Sequence, residues 1–220
     1  MRTTKRCLGG FAPAGRRRPV VVFTAGLAAL AAVLAGCVPI STYPFYRVGD
    51  LVQDASLVGV WQSADGQNSW IFTPGRDKSC NLEIQSEGQR VVCVAHLFKL
   101  GSERFLDLYP AEQALGDALE KNPYSVGLIP GHALFRVLGT TPKLRLSGMG
   151  MDWLKEELKR NPNAAAHVEL PDGRVAFTGR TEAVQAFITK HLHETGAWNA
   201  MFEDGLARSD ARPAEKPKAQ

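Results

Sequence analysis

The stretch from residue 81 to residue 109, NLEIQSEGQRVVCVAHLFKLGSERFLDLY, carries three runs of alternating apolar and polar residues. Turn signals that contain glycine separate the runs, which are Asn81–Ser86, Arg90–Leu100 and Phe105–Tyr109. A period of two residues is typical of a β-strand with one buried face, and glycine between two such runs marks a tight turn. The stretch therefore predicts three consecutive antiparallel strands.

The pattern of short strands continues on both sides of this stretch. Further strands are predicted at Gly59–Ser63, Ser69–Thr73, Ala133–Leu138, Lys143–Ser147 and Arg174–Thr178. Helix-favouring composition or a helical period predicts helices at residues 111–121, Met151–Arg160 and Thr181–Glu194, the last of which is amphipathic. Trp198, Met201 and Phe202 suggest one more short helix.

These elements predict a mainly β fold of the α+β class. About eight short strands, joined mostly by tight turns, are typical of a curved antiparallel meander that closes into a barrel. Two or three helices accompany it, including the C-terminal amphipathic one. An open, strongly curved sheet with helices on one side fits the same pattern, and the sequence leaves both architectures open.

The first predicted strand begins with Gly59-Val60-Trp61, and an amphipathic helix follows the last one. Together these two features resemble the lipocalin pattern. The resemblance implies a closed barrel that binds an apolar or amphipathic small molecule. The two earlier helices, at 111–121 and Met151–Arg160, depart from the uninterrupted strand order of a lipocalin.

The N-terminus has the three parts of an export signal. A basic stretch ends at Arg18, an apolar run covers Val20–Ala35, and the last part reads Leu34-Ala35-Gly36-Cys37. This ending resembles the lipobox of bacterial lipoproteins, which implies that residues 1–36 are removed as a signal peptide and that Cys37 carries a diacylglycerol. Two or more acyl chains make a stable membrane anchor. A permanent membrane helix, or a secretory signal cut without lipidation, is the alternative.

The residue after Cys37 is Val38 rather than the aspartate that retains many Gram-negative lipoproteins at the inner membrane. The resemblance therefore favours a protein anchored in the outer membrane and facing the periplasm, if the cell is Gram-negative. The whole chain has 26 basic and 22 acidic residues, but six of the basic residues lie in the signal. The mature chain then has 20 basic and 22 acidic residues, a net charge of −2, and no nucleic-acid partner is expected.

Four segments follow from these patterns. Residues 1–36 are the signal peptide, and residues 37–56, which contain Pro39 and Pro44, are a lipidated N-terminus and tether. Residues 57–206 form a single β-rich globular domain. Residues 207–220 are mostly charged residues, alanine and proline, which predicts a disordered tail.

Two cysteines, Cys80 and Cys93, remain once the signal is removed and Cys37 is lipidated. The envelope permits disulfides, so these two residues are a candidate bridge. A simple hairpin about Gly88 places Cys80 opposite His96 instead, and a bridge then needs a shifted register. Two small buried thiols are the alternative.

The most informative polar residues lie on predicted strands. Alternation puts Asp107 on one face of its strand, and it puts His132 and Arg136 on one face of another. If these faces meet inside a barrel, the three side chains are candidate polar groups of a ligand pocket. In the alternative, they face solvent while their neighbours form the core, which Leu106, Leu108, Ala133, Phe135 and Val137 then supply.

The mature sequence contains none of the common catalytic motifs, which predicts a protein that is not an enzyme. No cofactor and no metal site are expected, because the five histidines do not fall at ligand spacing. Two functions lead, ahead of an enzyme with no recognisable motif. One is an interaction or structural role in the cell envelope, with an envelope protein as partner, and the other is the binding of a lipid-like ligand in a lipocalin-like barrel.

Overall fold

The computed structural model describes residues 38–86, 89–121 and 130–210. The strands are β1 Ile40–Ser41, β2 Gly59–Gln62, β3 Asn68–Pro74, β4 Ser79–Ser86, β5 Gln89–Leu100, β6 Glu103–Pro110, β7 His132–Gly139, β8 Lys143–Met149, β9 His167–Glu169, β10 Val175–Phe177, β11 Trp198–Ala200 and β12 Leu206–Ser209. The α-helices are α1 Glu112–Lys121, α2 Met151–Arg160 and α3 Thr181–Lys190. The three longer predicted helices are confirmed, although the last ends at Lys190 rather than Glu194.

Eight of the strands form a closed antiparallel barrel. Strands β2 to β8 pair with one another in chain order, and β12 then pairs with β8 on one side and with β2 on the other. Closure confirms the barrel and rules out the open sheet. The predicted strand at Arg174–Thr178 is not part of it, because β10 lies outside the barrel between β1 and β9.

The barrel interior is filled by apolar side chains. All eight barrel strands contribute to one buried cluster, as expected where alternate residues of every strand point inward. The inward residues include Trp61, Trp70, Phe72, Leu82, Ile84, Cys93, Leu97, Leu106, Leu108, Ala133, Phe135, Val137, Leu144, Leu146 and Leu206. The predicted core residues of β6 and β7 are therefore confirmed.

A second apolar core lies on the outside of the barrel. Outward-facing residues of β5 to β7, such as Phe98, Phe105 and Leu134, pack with buried residues of α2, α3 and β10. Phe187 of α3 contacts Phe177 of β10, with ring centroids 5.6 Å apart. Strands β5 to β7 are thus covered on both faces. A polar residue on their outer face can therefore be buried, even though it points away from the barrel interior.

The predicted tether is wrong for the part of it that the structure describes. We call residues 38–58 the N-terminal strap, because this segment crosses the outside of the barrel and is held at several points. The Thr42 amide donates to the Phe177 carbonyl at 3.0 Å, and Leu51 forms a β-bridge with Phe98. Phe45 is fully buried in the outer core. The strap has two short 3-10 turns, Val48–Asp50 and Ala55–Leu57, and its buried apolar side chains hold it on the barrel.

The chain enters and leaves the barrel at the same place. The Trp61 indole N–H donates to the Leu57 carbonyl at 2.8 Å. The Arg208 guanidinium lies 5.2 Å from the centroid of the Trp61 ring, and it donates to the carbonyls of Ser56 and Val58 at 3.0 and 2.6 Å. Gly59 has a φ of +139°, and a Cβ there would lie 2.9 Å from a guanidinium nitrogen of Arg208.

Two further predictions are corrected near the C-terminus. Residues 207–209 belong to strand β12 rather than to a disordered tail, because hydrogen bonds to both β2 and β8 order them. Residues 211–220 of the predicted tail lie outside the described residues. Trp198–Ala200 forms strand β11 along β8 rather than a short helix, with Trp198 opposite Met149.

Candidate functional site

The structure brings together two of the three predicted site residues, Asp107 and His132, on the outer face of the barrel rather than in its interior. Asp107 is 0% exposed, yet it alternates with the inward-facing Leu106 and Leu108 and therefore lies outside the barrel wall. The N-terminal strap covers it. Neither the interior location nor the solvent-exposed one is correct, because the strap adds a second layer that the strand pattern does not reveal.

Both carboxylate oxygens of Asp107 are occupied. The backbone N–H of Phe45 donates to Oδ2 at 2.8 Å, and Nδ1 of His132 lies 2.7 Å from Oδ1. The Tyr109 ring packs against the His132 ring in a tilted arrangement, with centroids 4.4 Å apart. Asp107 thus links the strap to two strands of the barrel wall, and a buried carboxylate with two partners is a stable arrangement.

His96 is the member of this cluster that sequence reasoning missed. It sits directly opposite Asp107 in the β5–β6 pairing, and the Tyr46 ring of the strap covers it at a centroid distance of 4.6 Å. Burial lowers the pKa of His96, although the nearby Asp107 carboxylate opposes that effect. The signal was present in the sequence, because a hairpin turning at Gly101-Ser102 pairs positions 96 and 107.

Tyr46 of the strap is a second residue with a shifted pKa. Burial raises the pKa of the Tyr46 hydroxyl, and the Asp107 charge adds to this effect. Tyr46 therefore remains protonated at neutral pH, as an unperturbed tyrosine would. We refer to Tyr46, His96, Asp107, Tyr109 and His132 as the strap cluster.

Arg136 lies apart from the strap cluster. Its guanidinium donates twice to Oε2 of Glu103, at 3.0 and 2.9 Å, and once to the Leu192 carbonyl at 3.1 Å. It also lies 5.9 Å from the centroid of the Trp198 ring. These contacts join the barrel wall to the end of the α3 region, so Arg136 has a structural role rather than the predicted pocket role.

A pocket of about 540 Å³ opens on the outer surface next to His96. Its lining comes from the β3–β4 turn and the outward faces of β4 and β5, and consists of Pro74, Gly75, Arg76, Asp77, Ser79, Asn81, Val94 and His96. The Ser79 hydroxyl donates to the Arg76 carbonyl at 2.6 Å. A serine nucleophile would need a hydrogen bond from its hydroxyl to a base such as the His96 imidazole. The Ser79 hydroxyl instead bonds to the backbone of its own turn.

A second buried histidine, His191, lies at the end of α3. Its Nδ1 is 2.8 Å from Oε1 of Glu194, whereas its Nε2 has no hydrogen-bond partner and lies 3.8 Å from Oε1 of Glu157. The rings of Trp153 and Phe187 flank it. Within the described ranges, no group of three or more histidine, cysteine or acidic residues is placed to hold a metal ion.

The candidate disulfide is absent, because Cys80 and Cys93 are both free thiols. The β4–β5 register pairs Cys80 with Ala95 and Cys93 with Leu82. The two cysteines are thus diagonal neighbours on the inward face, where Cβ atoms are typically about 7–8 Å apart rather than the roughly 4 Å of a disulfide. Burial raises the pKa of the Cys93 thiol to about 12. The predicted pairing of Cys80 with His96 is wrong by one residue.

Cys37, the predicted lipidation site, lies outside the described residues. In the part of the chain that is described, no helix has both the length and the apolar character needed to cross a bilayer. No family model, no curated protein and no solved structure matches this chain. The function must therefore be inferred from the geometry and from the N-terminal sequence.

Proposed function

We propose that the mature chain is a lipid-anchored envelope protein with a non-catalytic interaction or structural role. The observation that carries this proposal is the filled barrel. Carrier barrels hold their ligands in apolar cavities of several hundred Å³. Here the corresponding space contains side chains of the protein itself, among them Trp61, Trp70 and Phe135. A barrel with such a core acts through its outer surface.

Val38, the residue after the predicted lipidation site, is part of the folded domain. Val38 is 1% exposed and packs with the interior cluster. Because Val38 directly follows Cys37 in the sequence, a lipid on Cys37 would hold the folded domain close to the membrane surface.

Native mass spectrometry of the full-length protein tests this proposal. The protein is expressed in a Gram-negative host and extracted from its membranes in detergent. We expect the mass of residues 37–220 plus a diacylglyceryl group and an N-acyl chain, with no further adduct. The Cys37→Ser variant should remain unprocessed. Normal cleavage and membrane retention of that variant would show that the anchor assignment is wrong.

Lipocalin-like binding is the second candidate, and the closed eight-stranded barrel favours it. In this case the barrel would take up an apolar or amphipathic molecule. The same mass spectra distinguish the two functions. A lipid-sized adduct that persists after delipidating washes supports the carrier, and an empty protein supports the interaction role.

A further inference from the structure

We infer that the exposed side of the N-terminal strap lies against the lipid bilayer, with Tyr43 and Val48 in contact with the lipid headgroup region. This inference rests on the proposed lipid anchor at Cys37. It names the partner of this surface, a lipid bilayer, and the orientation of the barrel on it.

No spacer separates the predicted lipid from the folded domain. Cys37 is bonded to Val38, and consecutive Cα atoms lie about 3.8 Å apart. Val38 is buried, and Ile40 and Ser41 are already paired with β7 and β10. A tethered domain could tumble far from the membrane, but this one is held within a few ångströms of its glyceryl group.

The strap cannot easily peel away to act as a spacer. The Thr181 hydroxyl donates to the Pro44 carbonyl at 2.7 Å, and the Gln185 side chain donates to the Phe45 carbonyl at 2.9 Å. Asp107 accepts the Phe45 N–H from the other side. These bonds join the strap to α3 and to β6, so the barrel and helix α3 move together with the anchored residue.

The strap presents two exposed apolar side chains. The large apolar residues that are exposed in the described structure are Tyr43 (48%), Val48 (80%), Leu138 (46%) and Val168 (47%). Single exposed apolar residues are ordinary on a protein surface. Two of these four, however, lie on the strap, Tyr43 six residues and Val48 eleven residues after Cys37, and tyrosine is enriched at membrane interfaces.

The charges of the strap fit an uncharged, zwitterionic lipid surface. Arg47, whose side chain is exposed, forms an ion pair with Asp50 at 3.1 Å and also lies near Glu182, so it is not an unpaired positive charge beside Val48. The contact therefore depends on apolar burial rather than on attraction to anionic lipid. Two side chains alone bind a bilayer weakly, but the covalent anchor raises their effective concentration at the surface.

Site-specific fluorescence quenching in vesicles tests this orientation. The full-length lipidated protein is reconstituted into phosphatidylcholine–phosphatidylethanolamine vesicles after Tyr43→Cys or Val48→Cys has been labelled with bimane. The controls are Val168→Cys and Leu138→Cys, at two positions whose exposed fractions are nearly equal to that of Tyr43. The unsubstituted chain serves as the blank, because burial raises the pKa of both Cys80 and Cys93 and slows their labelling.

We expect a nitroxide carried on the lipid to quench most of the fluorescence at positions 43 and 48 and to leave that at 168 nearly unchanged. Salt should not alter the difference. If the protein floats with the vesicles, but labels at 43 and 48 are quenched no more than the label at 168, the inferred orientation is wrong while the anchor stands. If the protein does not float with the vesicles, the proposed anchor fails and the orientation fails with it.

Discussion

Asp107 shows how one residue can join two layers of this protein. It lies on the outer face of β6, accepts the Phe45 N–H of the strap, and contacts His132 of β7. The carboxylate is buried, so its partners have no access to replacement water. The strand pattern shows that Asp107 lies on the opposite face from Leu106 and Leu108, but it cannot show that the strap covers this face.

We expect Asp107→Ala to lower the free energy of unfolding by about 1–3 kcal/mol, because it leaves the buried Phe45 N–H without an acceptor. Asp107→Asn should be milder, since its amide oxygen can still accept that bond. Urea unfolding measures both variants. Asp172→Ala, which removes an exposed partner of Arg174, is the matched control and should change stability by no more than about 0.5 kcal/mol. Equal effects of Asp107→Ala and Asp172→Ala would contradict the role of Asp107.

The lowered pKa of His96 leads us to expect that the protein loses stability at acidic pH. Burial lowers its pKa in the folded state, so the unfolded chain binds the proton more readily. The folded state is therefore fully favoured above the unfolded pKa of about 6.5, and stability falls as the pH drops from there towards the folded pKa. His96→Gln removes this titration. Comparing unfolding at about pH 7.5 and about pH 5.5 should show a smaller acid loss in the variant than in the parent, and identical losses would exclude His96 as the source.

Strand β12 is the element that decides whether the barrel is closed. It is short, it contributes Leu206 to the interior, and it brings Arg208 over Trp61. The sequence reading ended the domain at residue 206, inside this strand. Its pattern is too short to be recognised locally, because its order comes from hydrogen bonds to β2 and β8 rather than from its own apolar face.

Truncation on either side of β12 tests this closure. A chain that ends after Leu206 should lose cooperative thermal unfolding by circular dichroism, because β2 and β8 become open edges. A chain that ends after Asp210 should unfold like the full chain. The milder Arg208→Ala variant removes the contact with Trp61 and two hydrogen bonds and should cost about 1–2 kcal/mol. A chain ending after Leu206 that remained as stable as the full chain would show that β12 is dispensable.

At the scale of the whole molecule, two cores share the wall formed by β5 to β7. The interior core fills the barrel, and the outer core holds α2, α3 and the strap on the same strands. This arrangement explains why long runs of these strands are apolar on both faces. It also determines the proposed function, because a filled interior leaves the outer surface for recognition.

A deliberate cavity tests whether the interior is filled. Phe135 is fully buried and meets Trp70 edge-to-face, with ring centroids 5.6 Å apart. Phe135→Ala should cost about 3–5 kcal/mol and leave an apolar void. We expect the variant to bind benzene or xenon, measured by a rise in melting temperature, while the parent does not. Leu138→Ala, on the exposed face of the same strand, is the control. Equal binding of the probe by the parent would indicate an existing cavity and would favour the carrier function.

The sequence by itself determined the local features of this protein. Alternation located seven of the eight barrel strands, β2 to β8, and helical patterns located all three described helices, because these signals depend on neighbours a few residues apart. The tertiary structure decided what covers each surface. It placed β12 rather than Arg174–Thr178 in the barrel, folded the strap onto the wall, buried Asp107 beside His96, and held Arg136 against Glu103. Periodicity shows which face of a strand is apolar, but contacts between distant segments decide which faces become buried.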